Sequence, residues 1–126
     1  LNLDVQNDDN NNYSIVFKLK NDRTSFLFAG DMEEPLEKAL VQKYCSPTST
    51  SCPALQSDVF KVGHHGSDTS SGEDFLNFVN PQKAIISVGK NKYGHPSLRV
   101  LKKLERAGAE ILITDEKGDI ILPIDK

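Results

Sequence analysis

Asp58-Val59-Phe60-Lys61-Val62-Gly63-His64-His65-Gly66-Ser67 is a short apolar run that stops at two histidines set between glycines. It reads as a strand ending in a sharp turn. The chain's three histidines lie at 64, 65 and 95, so the adjacent pair stands out. Imidazole is the commonest nitrogen ligand for zinc and similar ions. Glycines at 63 and 66 let the backbone turn and leave space beside the rings. The same dipeptide also suits a solvated polar loop, and spacing alone does not separate the two readings. On an extended segment neighbouring side chains point to opposite sides. One of the pair is therefore expected to bind metal directly, and the other to act beside it or on substrate.

Upstream, Ser14–Lys20 alternates, with Ile15, Phe17 and Leu19 on one side and Val16, Lys18 and Lys20 on the other. That pattern and Thr24–Ala29 predict a hairpin around Asn21-Asp22-Arg23. Residues 1–12, rich in Asn and Asp, read as a loop. Gly30-Asp31 ends the second strand, and Met32, Leu36, Ala39 and Leu40 follow at helical spacing, with Pro35 tolerated in the first turn. Downstream, Ser70 and Glu73 have the spacing of a capping box for a helix through Phe75, Leu76 and Val79, stopped at Asn80-Pro81. Ala84–Val88 predicts a buried strand. Ser97 caps a helix carrying Leu98, Leu101 and Leu104, which ends near Gly108. Glu110–Thr114 and Asp119–Leu122 predict a final hairpin.

Interspersed strands and helices define an α/β, mixed α+β class in one domain, 1–126. A chain of this length buries roughly two-thirds of its unfolded surface. Net charge is -3, with 26% charged and 37% hydrophobic residues, which argues against a whole-chain electrostatic grip on nucleic acid. No apolar run approaches the ~18 residues of a membrane span, and no secretory signal is visible. The chain starts at Leu1 rather than methionine, as an excised piece would. Cys45 and Cys52 flank a polar stretch. They are either loop thiols or, the favoured reading, a disulfide closing a small loop in an oxidising compartment.

Asp31, His64 and His95 each follow a predicted strand end, where α/β proteins gather ligand sites. Asp31 has two readings. Asp31-x-x-Glu34 has capping-box spacing, and a carboxylate can also bridge two divalent ions. His95, in Tyr93-Gly94-His95-Pro96, is an exposed loop histidine or a contact to substrate phosphate at the mouth of a site. Lys90 and Lys92 are read as solvated. Asn12 and Ser14 are most simply turn and strand-start residues.

The order of pieces adds information. Asn11–Leu19, Phe26–Asp31, Asp58–Ser67, Phe75–Pro81, Ala84–Asn91 and Tyr93–Pro96 together closely resemble the metallo-β-lactamase domain of ComEC-like competence proteins, over nearly the whole chain. The resemblance implies the C-terminal half of an αββα sandwich. It implies two divalent metal ions, zinc or manganese, with Asp31 bridging and His65 a ligand. It places His64 and His95 as catalytic neighbours, and Ser67, Tyr93 and Asn12 as substrate-side residues. Asn12 falls where many members carry another histidine ligand. The main ligand cluster, His-x-His-x-Asp-His or its aspartate variant, is absent from these residues. The missing N-terminal half of the domain is thus the expected partner, and this piece alone is expected to be inactive. The implied activity is metal-assisted phosphodiester hydrolysis, with single-stranded DNA a candidate substrate. A small ester or lactam hydrolase and a degenerate, non-catalytic binding domain are the alternatives. An extracytoplasmic location is favoured over a cytoplasmic one.

Overall fold

The computed structural model of the chain describes residues 10–123. The part of the expected N-terminal loop before Asn10 lies outside them. Asn10–Tyr13 form a single 3-10 turn. Five strands follow: β1 (Phe17–Lys20), β2 (Ser25–Phe28), β3 (Val59–Lys61), β4 (Lys83–Ile86) and β5 (Glu110–Ile113). Helices α1 (Glu34–Tyr44), α2 (Glu73–Val79) and α3 (Leu98–Arg106) alternate with them, and a single turn, α4 (Thr114–Lys117), comes last.

The strands lie in one mixed sheet in the order β1-β2-β3-β4-β5. β1 and β2 form the expected antiparallel hairpin, and β2 to β5 are parallel. The class is thus mixed α/β, as the sequence implies. A β-α-β crossover is right-handed almost without exception. Because the strand order runs steadily one way, that rule puts α1, α2 and α3 on one face. The packing agrees. Leu27, Phe60, Ala84 and Ile86 from the strands share one core with Leu36, Leu40, Phe75, Leu76, Val79, Val100 and Leu104 from the helices.

The other face carries no crossover helix among the described residues, and Lys117 and residues 119–122 lie against its β3–β5 side, beside Val59, Lys83, Glu110 and Leu112. Strand register puts Phe17, Phe28, Lys61, Ile85 and Leu112 in one row across it, and Leu19, Phe26, Val59, Lys83 and Glu110 in the next. Phe17 and Phe28 stack at 4.7 Å, yet Phe17 and Leu19 are 50% and 55% exposed. The apolar side of the β1 alternation is therefore its uncovered side, while Val16 joins the core. Parallel sheets are normally covered on both faces.

Several local expectations are corrected. The N-cap of α1 is Glu33 and its side chain makes no capping bond, so Asp31 does not cap. Gly72, not Ser70, is the N-cap of α2. Ser70 Oγ donates instead to the Gly63 and Ser67 carbonyls. The amides at the start of α2 are met from another helix, with Ser71 N and Gly72 N donating to the Glu37 carboxylate at 2.6 and 2.7 Å. Ser97 caps α3 as expected, accepting from Val100 N. The final hairpin does not form. Thr114 Oγ1 donates to the Val88 carbonyl and accepts from Val88 N, which ties the end of β5 to the chain beyond β4. Residues 119–122 form no strand, and Ile120 and Leu122 line a small hollow of about 260 Å³ with Phe26, Val59 and Ile85. Cys45 and Cys52 are joined in a disulfide, as favoured from sequence.

Candidate metal centre

Strands β2, β3 and β4 run parallel, so the segments leaving their C-terminal ends emerge along one edge of the sheet. Asp31 follows β2, His64 and His65 follow β3, and the loop bearing His95 follows β4. The topology thus gathers on one edge what is dispersed along the sequence.

The histidine pair is not extended, which corrects the sequence reading of its geometry. Both residues are left-handed, His64 at φ 46, ψ 43 and His65 at φ 54, ψ 24. Each such non-glycine residue costs on the order of 1–3 kcal/mol and persists only where its surroundings enforce it. The enforcement is visible. His64 N donates to Gly30 O, Ser67 N to His64 O, and Ser97 N to Gly66 O. Gly63 is required by space, and Gly66 by both space and conformation. A Cβ on Gly63 would lie 2.7 Å from Met32 O, and one on Gly66, at φ +78, would lie 2.8 Å from Pro96 Cβ.

The turn aims the two rings at different partners. His65 Nδ1 lies 2.6 Å from the Ser87 carbonyl. A carbonyl only accepts, so Nδ1 carries a proton, and in the neutral ring Nε2 is the nitrogen free to bind an ion. That Nε2 is 3.5 Å from Asp31 Oδ1, and both side chains are half exposed. Two donors bound to one tetrahedral ion at zinc-like distances stand about 3.3 Å apart. An oxygen acceptor behind the other ring nitrogen is the usual support of a metal-binding histidine. The pair therefore fits two positions on one ion. Asp31 itself is placed by Ser14, whose Oγ accepts from Asp31 N and donates to Asn11 O. Ser14 is thus a clamp between the 3-10 turn and the Gly30-Asp31 turn, not the first residue of a strand.

His64 Nδ1 instead meets Glu33 Oε1 at 3.0 Å. Glu33 is buried and also accepts from Thr69 Oγ1 at 2.7 Å and Asn11 Nδ2 at 3.5 Å. The His95 ring lies 5.6 Å from that of His64, with Tyr93 stacked on its far side at 5.8 Å. Partial burial, then the neighbouring His64 and His65, lower the pKa of His95. Lys61, at the end of β3 on the uncovered face, is likewise lowered by burial, while the charge of Asp31 opposes the shift.

The remaining sequence candidates are placed as follows. Tyr93 is exposed, at the rim. Ser67 is buried, with its hydroxyl 3.0 Å from Thr69 Oγ1. Asn12 is buried, and neither its amide nitrogen nor its oxygen has a partner among the described residues. Buried amides in native proteins are nearly always paired. Glu33 is the participant the sequence reading missed. Its neighbour Glu34 drew attention through the capping-box spacing, and Glu34 in fact pairs with Lys103. Among the described residues no group of three His, Cys, Asp or Glu side chains is placed to hold an ion.

The arrangement is that of an α/β chain with two donors and a supported histidine turn at the C-terminal edge of its sheet. No family model matches the chain. It is 39% identical over 87% of its length to ComE operon protein 3 of Bacillus subtilis. It is 37% identical over 90% of its length to competence protein ComA of Neisseria gonorrhoeae, and 32% identical over 87% to recombination protein 2 of Haemophilus influenzae. The chain is thus related over most of its length to competence and recombination proteins. It spans 13%, 16% and 13% of those three relatives, as a part of a larger protein does. No helix among the described residues is long and apolar enough to cross a membrane.

Proposed function

We propose that this chain is the C-terminal half of a metallo-β-lactamase-type domain and supplies part of the metal site of a phosphodiester hydrolase acting on nucleic acid. The observation that carries the reading is Asp31 Oδ1 and His65 Nε2 standing 3.5 Å apart, with His65 Nδ1 held by the Ser87 carbonyl. Asp31 and His65 would hold zinc or manganese from this side. The remaining ligands of a two-ion site come from outside the described residues. Such ions lower the pKa of water toward neutrality and stabilise charge on a phosphoryl oxygen. The chain's own residues then orient and exchange protons. His64, its ring 6.5 Å from that of His65, and His95, 5.6 Å from His64, would serve the leaving oxygen or a developing oxyanion.

The uncovered sheet face supports a second protein layer. A face carrying Phe17, Leu19, Phe26, Phe28 and Ile85 is the kind of surface a second sheet buries. The names of the relatives, competence and recombination proteins, favour nucleic acid over a small ester or lactam. The Cys45–Cys52 bond fits an oxidising compartment.

The test uses the full-length protein. Divalent metal content is measured with and without Asp31→Ala and His65→Ala, alongside hydrolysis of bis-p-nitrophenyl phosphate, single-stranded DNA and nitrocefin. The proposal expects zinc or manganese to co-purify, both variants to lose metal and phosphodiesterase activity, and nitrocefin to survive. Absence of metal, with both variants behaving as wild type, leaves a non-catalytic binding domain. Nitrocefin turnover without phosphodiesterase activity makes it a lactam hydrolase.

A further inference from the structure

The carboxylate of Glu33 is one of few buried charges among the described residues, at 8% exposure for the residue, and it does not serve the helix it begins. All three of its contacts run to Oε1 and come from distant segments: Asn11 in the 3-10 turn, Thr69 in the loop after β3, and His64. Burying a carboxylate is costly unless it is well bonded, and a glutamine or threonine would serve a plain loop staple at less cost. A carboxylate presents acceptors only, whereas a glutamine or threonine in its place could also turn a donor to the ring and so leave the tautomer open. An ionised carboxylate only accepts, so His64 Nδ1 at 3.0 Å must donate. Nδ1 therefore carries a proton, and in the neutral ring Nε2 is the nitrogen left with a lone pair.

We infer that Glu33 is a positioning residue that fixes both the orientation and the tautomer of His64, whose ring lies 6.5 Å from that of His65 and whose Nε2 is left as the free ring nitrogen. The inference rests on the hydrolase reading above and deepens it. Glu33 and Ser87 do the same job for adjacent rings. Each takes the Nδ1 proton of one histidine and frees its Nε2. The left-handed backbone at both positions is what lets two consecutive side chains find separate acceptors. In that tautomer Nε2 is the atom that would accept a proton from the attacking water and pass it to the leaving oxygen as the phosphorus–oxygen bond breaks and its electron pair moves to that oxygen.

The experiment is a double-mutant cycle in the full-length protein with Glu33→Gln, His64→Asn and the pair. It reads kcat and KM for bis-p-nitrophenyl phosphate, metal content, and the nitrogen-15 shifts of labelled histidine. The inference expects Glu33→Gln to lower kcat by about 10- to 100-fold, with KM and metal content unchanged. It expects Glu33→Gln to have no further effect once His64→Asn is present. The His64 shifts should move from a pure Nδ1–H pattern toward a mixture. Equal losses from Glu33→Gln in both backgrounds, or unchanged His64 shifts, overturn it, because a merely structural Glu33 would behave that way. An inactive, metal-free wild type sinks the hydrolase reading, whereas an active wild type with additive losses sinks this inference alone.

Discussion

Glu37 offers the sharpest quantitative prediction. It lies on α1, is 1% exposed, and accepts from Ser71 N and Gly72 N ahead of α2. Burial is the dominant influence and raises its pKa from 4.5 to about 7, against the two backbone amides, with Glu34 adding to the rise and Lys103 opposing it. The folded state therefore binds this proton more tightly than the unfolded chain does. The stability Glu37 contributes is full below pH 4.5 and is lost as pH rises to about 7. At ~1.4 kcal/mol per pH unit, the loss amounts to about 3 kcal/mol. Glu37→Gln isolates it. Glutamine has nearly the shape of the acid and does not titrate, but its amide nitrogen cannot accept from the second backbone amide, which costs the variant a pH-independent offset. Between pH 4 and pH 8 the stability difference should therefore shift by about 3 kcal/mol in favour of glutamine. Urea unfolding of both proteins at intervals from pH 4 to 8 measures this difference and cancels every other titrating group. A pH-independent difference, or one that favours wild type as pH rises, would show that the two amides hold the carboxylate ionised and would refute the reasoning.

Other consequences can be checked more briefly. Gly66→Ala places a Cβ 2.8 Å from Pro96 Cβ at φ +78, and should cost about 2 kcal/mol or more in thermal or urea unfolding. Replacing Cys45 and Cys52 together by serine removes a crosslink with a sequence separation of 7. Loop entropy puts that loss at about 2 kcal/mol, readable as a drop in the denaturation midpoint that reductant reproduces in wild type. Phe17→Lys, at a residue exposed by half and stacked on Phe28, should cost only about 1 kcal/mol if the face is otherwise free. It should cost at least ~2 kcal/mol in the full-length protein if a second layer covers it.

The elements themselves were legible because their signals are local. Alternation around Phe17 and the polar turn at Asn21-Asp22-Arg23 produced the hairpin, and Ser97 announced α3 through its own side chain. Both predicted capping boxes failed for one physical reason: the groups involved took partners from elsewhere in the chain. Glu37 meets the start of α2 from 34 and 35 residues away, and Asp31 turned to His65. Glu33 was hidden in the same way, since its value lies in His64 and Thr69, 31 and 36 residues on. The final hairpin failed because the Thr114 hydroxyl found Val88. Spacing rules see a residue's neighbours along the chain. Buried carboxylates and hydroxyls answer to neighbours in space.

The uncovered face and the incomplete donor set share a cause. A strand order that runs steadily one way sends every crossover helix to the same side, so the opposite face is left for another element. Lys61 ties that face to the site. In register it stands between Phe28 and Ile85, and burial lowers the pKa of its ammonium while the charge of Asp31 opposes the shift. The edge carrying the candidate donors therefore borders that face. A layer burying Phe28 and Ile85 would end beside Asp31 and His65, where an ion needs its remaining ligands. If one element performs both tasks, a charge placed at Phe28 should lower metal content along with stability, although Phe28 itself ligates nothing. Phe28→Asp in the full-length protein, assayed for bound metal at a temperature where it remains folded, makes the comparison. Stability lost with metal retained would mean that the face and the ligands are completed by separate elements.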